Sequence, residues 1–462
     1  MNIMNKLTPE QTIERLKSEN EELKAKVKQL EDDLSYCKLY YGNELEKINF
    51  ARFLRLNYAF LRNNGIWAYT KEIFRAFGKF FCMGGRKFKR LFTANATQKE
   101  LKAILKEHKG KKIMLYYPGY DWGMKMYQRP QHMAIHFAKE DYLFFYCTIN
   151  AGDSVNGFEK ITDNLYVTNL YEMLRDKLPR YTLYMCANMN GCFLDELEPI
   201  LARGNHLLYE YIDDLHEDLT VIPPELIERH KFVLADDSIP VVATAQYLFE
   251  KAAKLRGSTK NILQSTNGVV YEDFHITSDL PVPEKIEKMV AEGKPIIGYY
   301  GALAKWFDYE LVQKAALAHP EWNFLLIGID YDQSFAEYNY FKDLKNVDYI
   351  GIVDYKELIN YGNRCAVLTI PFVINEITLS TSPVKVFEYM SMEKPIVTTA
   401  LPECKKYKSV LIGRDHDDYL KKLELAVKSG DNETYRDMLR EEALENTWEN
   451  KVREIISCFY KK

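Results

Sequence analysis

Residues 374–397, INEITLSTSPVKVFEYMSMEKPIV, carry side chains suited to gripping a phosphate-bearing ligand. Ser380, Thr381 and Ser382 precede Pro383, and proline is pre-organised for the first turn of a helix. Free backbone amides at that N-terminus, with the three hydroxyls, would cradle a phosphate. Lys385 falls in the same turn, where the helix dipole disfavours a cation, so its placement makes sense with an anion above it. Glu388, three residues on, shares its face, and a carboxylate can accept two hydrogen bonds from a ribose diol. The bland alternative for the pair is a surface ion pair. Glu376 stands a few residues earlier and could hydrogen-bond the hydroxyls of a donor sugar or orient it. No nucleophile is assigned, because departure of a nucleoside diphosphate from a sugar mainly needs charge stabilisation on the leaving phosphates. The helix N-terminus, Lys385 and Lys305 supply that without a metal.

A second candidate is GYYG, residues 298–301, between an apolar strand and a helix. Glycines there let backbone amides approach an anion, although a tight turn explains them equally well. Lys305 and Asp308 follow near the helix start. In the other half of the chain, candidate loops begin at residues 117–123 and around Arg129, Gln131 and His132. Arg129 is read as a phosphate or acceptor contact, and His132 as either catalytic or helix-capping. Asp213 and Asp214 either line a cleft or hold their own loop.

These residues need rigid elements to hold them. Apolar runs at residues 111–118, 143–149, 165–170, 182–187, 206–212, 241–245 and 261–268 alternate with helix-like segments. Strands this apolar predict a parallel sheet covered on both faces. After a break at Asn267-Gly268, Pro281 and Pro283, the pattern restarts at 294–301, 323–328, 347–353, 365–372, 394–400 and 409–413. Two α/β units are therefore expected, with ligands at the carboxyl ends of strands. A C-terminal helix pair is expected at 417–429 and 433–459, broken near Asn446-Thr447.

The remainder is a helical extension. Ile13, Leu16, Asn20, Leu23, Val27, Leu30, Leu34, Cys37 and Tyr41 form a heptad seam, which predicts either a coiled-coil homo-oligomer through residues 10–50 or a single amphipathic helix. Residues 51–92 hold ten Lys or Arg against one acid, Glu72, for a local net of +9, with eleven aromatics interleaved. That composition fits an anionic membrane surface or a linker helix packed on the body. The whole chain of 462 residues carries a net charge of only −4, which argues against a nucleic-acid-binding surface. Its 47% hydrophobic content excludes global disorder. Eight cysteines without a CxxC pair predict neither disulfides nor a metal site. A polar start and no 18-residue apolar run predict no signal peptide and no membrane span, hence a cytoplasmic protein, peripheral on the membrane if the basic segment binds it.

SPVKVFEYMSMEKPIV resembles the donor-binding helix of GT-B glycosyltransferases, and of glycosyltransferase family four in particular, bacterial teichuronic acid type. YQRPQHMAIHFA (127–138), YEYIDDL (209–215), STNGVVYEDF (265–274), GYYGALAKWFDYELV (298–312) and PFVINEITLSTSPVK (371–385) carry the same likeness across residues 111–440. The resemblance implies two Rossmann-like domains facing a cleft. The expected division is a coiled coil at 1–50, a basic aromatic linker at 51–100, an acceptor domain at 101–275, a nucleotide-sugar-binding domain at 276–445 and a C-terminal helix at 446–462.

The resemblance further implies Glu388 on the ribose, Ser382 and Lys385 near the diphosphate, Gly301 approaching the phosphates, Val353 beside the base and Glu376 near the donor hexose. It implies retaining, front-face transfer. The sequence departs from the family at Gly301-Ala302, where relatives carry Gly-Arg, and in the twelve-residue spacing of Glu376 and Glu388. The expected function is transfer of a hexose from a nucleotide-sugar donor, a UDP-sugar favoured, to a saccharide or lipid-linked acceptor, with no prosthetic group. The competing expectations are a non-catalytic assembly protein and a nucleotide-sugar epimerase. A scaffold need not keep the Lys385–Glu388 face, and an epimerase needs an acid–base set that the sequence does not offer.

Overall fold

The computed structural model describes residues 96–124, 127–187, 191–215, 222–276, 280–430 and 432–460. The heptad seam and the basic segment lie outside the described residues. Two compact units divide the chain. In the smaller one, a helix at 96–107 closes where the His108 ring pairs with the Ile104 carbonyl at 2.8 Å. In the same unit Asp121 accepts hydrogen bonds from the Thr148 hydroxyl at 2.7 Å and from the amides of Ala151, Gly152 and Asp153.

The larger unit holds two sheets. The first comprises β1 (Ile113–Tyr116), β2 (Leu143–Cys147), β3 (Phe158–Thr162), β4 (Leu165–Thr168), β5 (Thr182–Cys186), β6 (His206–Tyr211), β7 (Val241–Ala243) and β8 (Ile262–Gln264). Its order is β3-β4-β2-β1-β5-β6-β7-β8. Every residue of β1, β2, β4 and β5 is buried, which requires cover on both faces and explains why those runs read as continuously apolar. Tyr116 packs on Tyr146 and Tyr184 at ring separations of 4.6 and 5.5 Å. Strand β3 is antiparallel to β4 and falls outside the apolar runs of the sequence. Its FEKIT sequence has no apolar run, as suits an edge whose charges discourage pairing with another chain.

The second sheet comprises β9 (Ile296–Tyr300), β10 (Asn323–Ile327), β11 (Val347–Tyr349), β12 (Val367–Ile370), β13 (Ile396–Thr399) and β14 (Val410–Gly413). All its pairs are parallel, in the order β11-β10-β9-β12-β13-β14. The winding direction reverses between β9 and β12. Loops after these strands therefore part, and ligands of such sheets bind in the crevice they leave.

The C-terminal segment forms three helices, His416–Ser429, Glu433–Glu445 and Trp448–Phe459. The break falls at Asn446-Thr447, where the Thr447 side chain caps the last helix. That helix returns to the first sheet and packs on the helix Arg129–Lys139. Trp448 stacks on His132 with ring centroids 4.8 Å apart, Arg453 pairs with Glu140 at 2.7 Å, and the Ser265 hydroxyl donates to Glu454 at 2.7 Å. Trp448 is only 1% exposed, and truncating such a side chain typically costs about 3–5 kcal/mol. Among the described residues no helix is long and apolar enough to cross a membrane.

Candidate functional site

Strand β9 delivers the chain to Gly301, whose φ of +145° is a conformation side-chain-bearing residues rarely adopt. The site also has no room for a side chain. A Cβ on Gly301 would stand 1.9 Å from Lys385 Cε and 2.6 Å from its Nζ. Lys385 belongs to the helix Val384–Ser391, which follows Pro383 as expected. Its ammonium lies 5.8 Å from the Tyr299 ring and 5.7 Å from the Phe372 ring, an arrangement that attracts a cation to the faces of the rings. Burial lowers its pKa, with Glu388 opposing. Gly298, the other glycine of GYYG, plays no part at the strand end. It lies inside β9, where a Cβ would come within 2.4 Å of the Cys365 sulfur, so it serves core packing.

Glu388 is 7% exposed. Burial pushes its carboxyl up to about 7, while Lys385 and the nearby Tyr300 hydroxyl pull it down and Asp273 adds to the rise. The Tyr355 hydroxyl donates to Asp273 at 3.4 Å, and the Tyr355 ring meets Phe274 edge-on at 5.3 Å. Val353 packs half-buried on the same core, two residues before Tyr355. Tyr300, Tyr355 and Asp273 thus surround the carboxylate assigned to the ribose, and sequence reasoning named none of them. Tyr300 sits within GYYG and Asp273 within STNGVVYEDF, but no spacing rule singles either out.

The hydroxyl cluster is smaller than expected. Ser380 and Thr381 both donate to the Ile377 carbonyl, at 2.7 and 2.9 Å. Their protons close the short helix Glu376–Leu379 and are not available to a phosphate, which corrects the three-hydroxyl cradle. Ser382 differs. Its oxygen accepts from the Asn267 amide at 3.1 Å, leaving its own proton to donate. Glu376 is exposed at the first position of the short helix, which Asn375 and Thr378 cap reciprocally at 2.9 and 3.0 Å. Lys305 is exposed in the loop after β9, its amide donating to Asp332 at 3.0 Å. The Val373 amide donates to the Trp306 carbonyl at 2.8 Å, tying the loop of Lys305 to the loop leading to Glu376. Asp308 is structural: it caps the helix Tyr309–Ala318 and pairs with His416 at 2.9 Å.

Residues 294–429, which hold Gly301, Lys385 and Glu388, match the family model described as glycosyl transferases group 1. A Bacillus subtilis protein called putative teichuronic acid biosynthesis glycosyltransferase TuaH is 26% identical over 338 residues, spanning 65% of this chain and 84% of that one. Sucrose-phosphate synthase from Thermosynechococcus elongatus shares the fold at a TM-score of 0.53 and 15% identity, over 76% of this chain and 98% of that one. The chain is a glycosyltransferase with the GT-B fold. The Anabaena protein HepE, solved with UDP-glucose, has the same fold at a TM-score of 0.52 and 11% identity, over 75% of this chain and 98% of that one.

In this GT-B glycosyltransferase the first-sheet candidates are engaged in holding the scaffold. Arg129 is buried and makes a two-bond ion pair with Glu210, Nε to Oε2 at 3.0 Å and Nη2 to Oε1 at 2.9 Å. Its Nη1 donates to the Thr266 carbonyl at 2.8 Å and to Asn267 Oδ1 at 3.3 Å. The guanidinium is therefore not presented to a phosphate or acceptor, contrary to expectation. Gln131 is buried as the third residue of its helix, accepting from the Gln128 amide at 3.0 Å. His132 is 6% exposed beneath Trp448, and burial, with His136 and Arg129, pushes its pKa to about 3. A neutral ring stacked on an indole, in the contact with the last helix, is placed for packing. Asp214 accepts from the Tyr211 hydroxyl at 2.5 Å and from the Leu215 amide at 3.0 Å, and it pairs with Lys251. It holds its loop.

Proposed function

We propose that this glycosyltransferase moves a hexose from a UDP-sugar to a saccharide or lipid-linked acceptor in the synthesis of a surface polysaccharide, with retention of anomeric configuration. The observation that carries the donor site is Lys385 laid across Gly301, at the start of the helix that also bears Glu388. The diphosphate would sit over the open N-terminus of that helix, against the Lys385 ammonium, the backbone at Gly301 and the Ser382 hydroxyl. Glu388 would accept from the ribose diol, and the base would lie towards Val353. As the bond from the anomeric carbon to the β-phosphate oxygen breaks, negative charge grows on that phosphate, where Lys385 and the amides are already oriented. The acceptor hydroxyl would add from the same face, its proton passing to the departing phosphate. Glu376 would hold hexose hydroxyls, and Lys305 would take part of the role of the arginine that relatives carry.

The surface-polysaccharide reading is supported by the description of the Bacillus subtilis relative. A homo-oligomer through residues 10–50 and an anionic membrane contact through residues 51–92 would bring the enzyme to a lipid-linked acceptor. The test is thermal stabilisation by UDP, GDP, dTDP and CMP, on the intact chain and on Glu388→Ala. UDP should raise the melting temperature of the intact chain most and of the variant hardly at all. Absence of any shift with all four nucleotides would sink the donor site.

A further inference from the structure

Resting on that donor-site reading, we infer that Asn267 is a positioning residue, linking the buried Arg129–Glu210 pair of the first sheet to the helix that holds the donor phosphates. The geometry is closed on both sides. Asn267 Oδ1 accepts from Arg129 Nη1 at 3.3 Å, and its Nδ2 donates to the Ser382 carbonyl at 2.7 Å. Its backbone amide donates to the Ser382 hydroxyl oxygen at 3.1 Å. Asn267 is 8% exposed and Ser382 4% exposed, so water does not easily replace these bonds. Arg129 is held in turn by Glu210, which is fully buried and also accepts from the Tyr184 hydroxyl.

Only a carboxamide fits this place. The arginine requires an acceptor facing it, and the Ser382 carbonyl requires a donor facing it. The amide orientation is therefore fixed from outside. Two consequences follow for the donor. The residue before Pro383 is pinned at its carbonyl, which sets where the helix of Lys385 and Glu388 begins. The Ser382 oxygen has a lone pair occupied by the Asn267 amide, which turns its proton away from Asn267. The chain also crosses back at this junction. The Val269 amide donates to the Asn446 carbonyl at 3.0 Å, and the Trp448 amide to the Val269 carbonyl at 3.1 Å. Asn267 thus acts on phosphate binding through Ser382, without touching the donor.

The test compares UDP with uridine by titration calorimetry on the full chain, because only UDP senses the phosphate end of the site. Asn267→Asp keeps the shape and the acceptor towards Arg129 but sets an oxygen against the Ser382 carbonyl. Arg129→Lys keeps the charge beside Glu210 but cannot also reach Asn267. Each should weaken UDP binding about tenfold, as expected for the loss of a buried hydrogen bond, while uridine binding changes less than about twofold. A purely structural loss would lower both ligands alike and leave their ratio unchanged. A folded variant of either kind that keeps the intact chain's UDP-to-uridine ratio overturns the inference. Glu388→Ala runs alongside: if the intact chain binds UDP no better than this variant, the donor site itself is wrong rather than the role of Asn267.

Discussion

Lys385 lies across the backbone of Gly301 so closely that no side chain fits between them: a Cβ on Gly301 would sit 1.9 Å from Lys385 Cε. One residue thus keeps space for another's cation, and the cation stands over two aromatic rings in place of a carboxylate. Among the described residues no ion pair joins Lys385 to Glu388, so the plain surface pair that their spacing allowed does not form.

Gly301→Ala should therefore harm the site in two ways. The methyl group forces the lysine away, and the φ of +145° costs about 1–3 kcal/mol for any residue with a Cβ. UDP affinity should fall by about tenfold or more, by calorimetry, with the melting temperature lowered by a few degrees. An unchanged affinity would mean that Lys385 has no part in holding phosphate.

The Glu388 carboxyl, raised from 4.5 to about 7, links pH to both binding and stability. The sign follows from the fold favouring the neutral form. Below pH 4.5 the group is protonated in both states and contributes nothing. Between pH 4.5 and 7 the unfolded chain ionises first and stability falls, to a penalty on the order of 3 kcal/mol above pH 7. Glu388→Gln should then melt higher than the intact chain at pH 8 and equally at pH 4, while binding UDP more weakly. In the intact chain UDP affinity should decline as pH falls through 7, because the ribose needs the carboxylate. A variant that gains no stability at pH 8 would contradict the buried carboxyl.

Much of this arrangement is legible in the sequence. The apolar runs mark all six strands of the second sheet: β9, β10, β12 and β13 are buried along their whole length, and the more exposed β11 and β14 still fall within apolar runs. Pro383 marked the helix start, and Asn446-Thr447 marked the last break. Strand β3 was missed for the opposite reason: FEKIT is an exposed edge and carries no apolar signal. The roles of the first-sheet residues are not legible in the sequence, for a physical reason too. Arg129, at the start of a helix, finds its partner Glu210 on β6 at a separation of 81 residues, a contact that only the packing of that helix on the sheet creates. Ser380 and Thr381 have the right chemistry for phosphate, but a carbonyl three or four residues back takes their protons first.

The Arg129–Glu210 pair makes its own prediction. Both side chains are almost fully buried, at 2% and 0% exposure. Arg129→Met would leave Glu210 charged in the interior with little beyond Tyr184 for company, and such losses cost about 3–5 kcal/mol. The double variant Arg129→Met with Glu210→Met removes the stranded charge and should recover much of that stability. Urea midpoints at constant slope would show it. A single variant as stable as the double would mean that the carboxylate finds another partner.

The histidines of the same helix give the last prediction. His132 and His136 have pKa values pushed from 6.5 down to about 3 and about 4, chiefly by burial. Here the unfolded chain takes up protons first, so their contribution is intact above pH 6.5 and is lost as pH falls towards the folded values. Each group should steepen the loss by about 1.4 kcal/mol per pH unit within that window. His132→Phe keeps a ring against Trp448 but removes one titration. Its denaturation midpoints at pH 7.5, 6 and 5 should therefore fall more gently than those of the intact chain. Sugar transfer at pH 7.5 should persist in this variant, because the ring there is neutral and stacked 4.8 Å from the indole. Loss of transfer with the stability intact would return His132 to the chemistry.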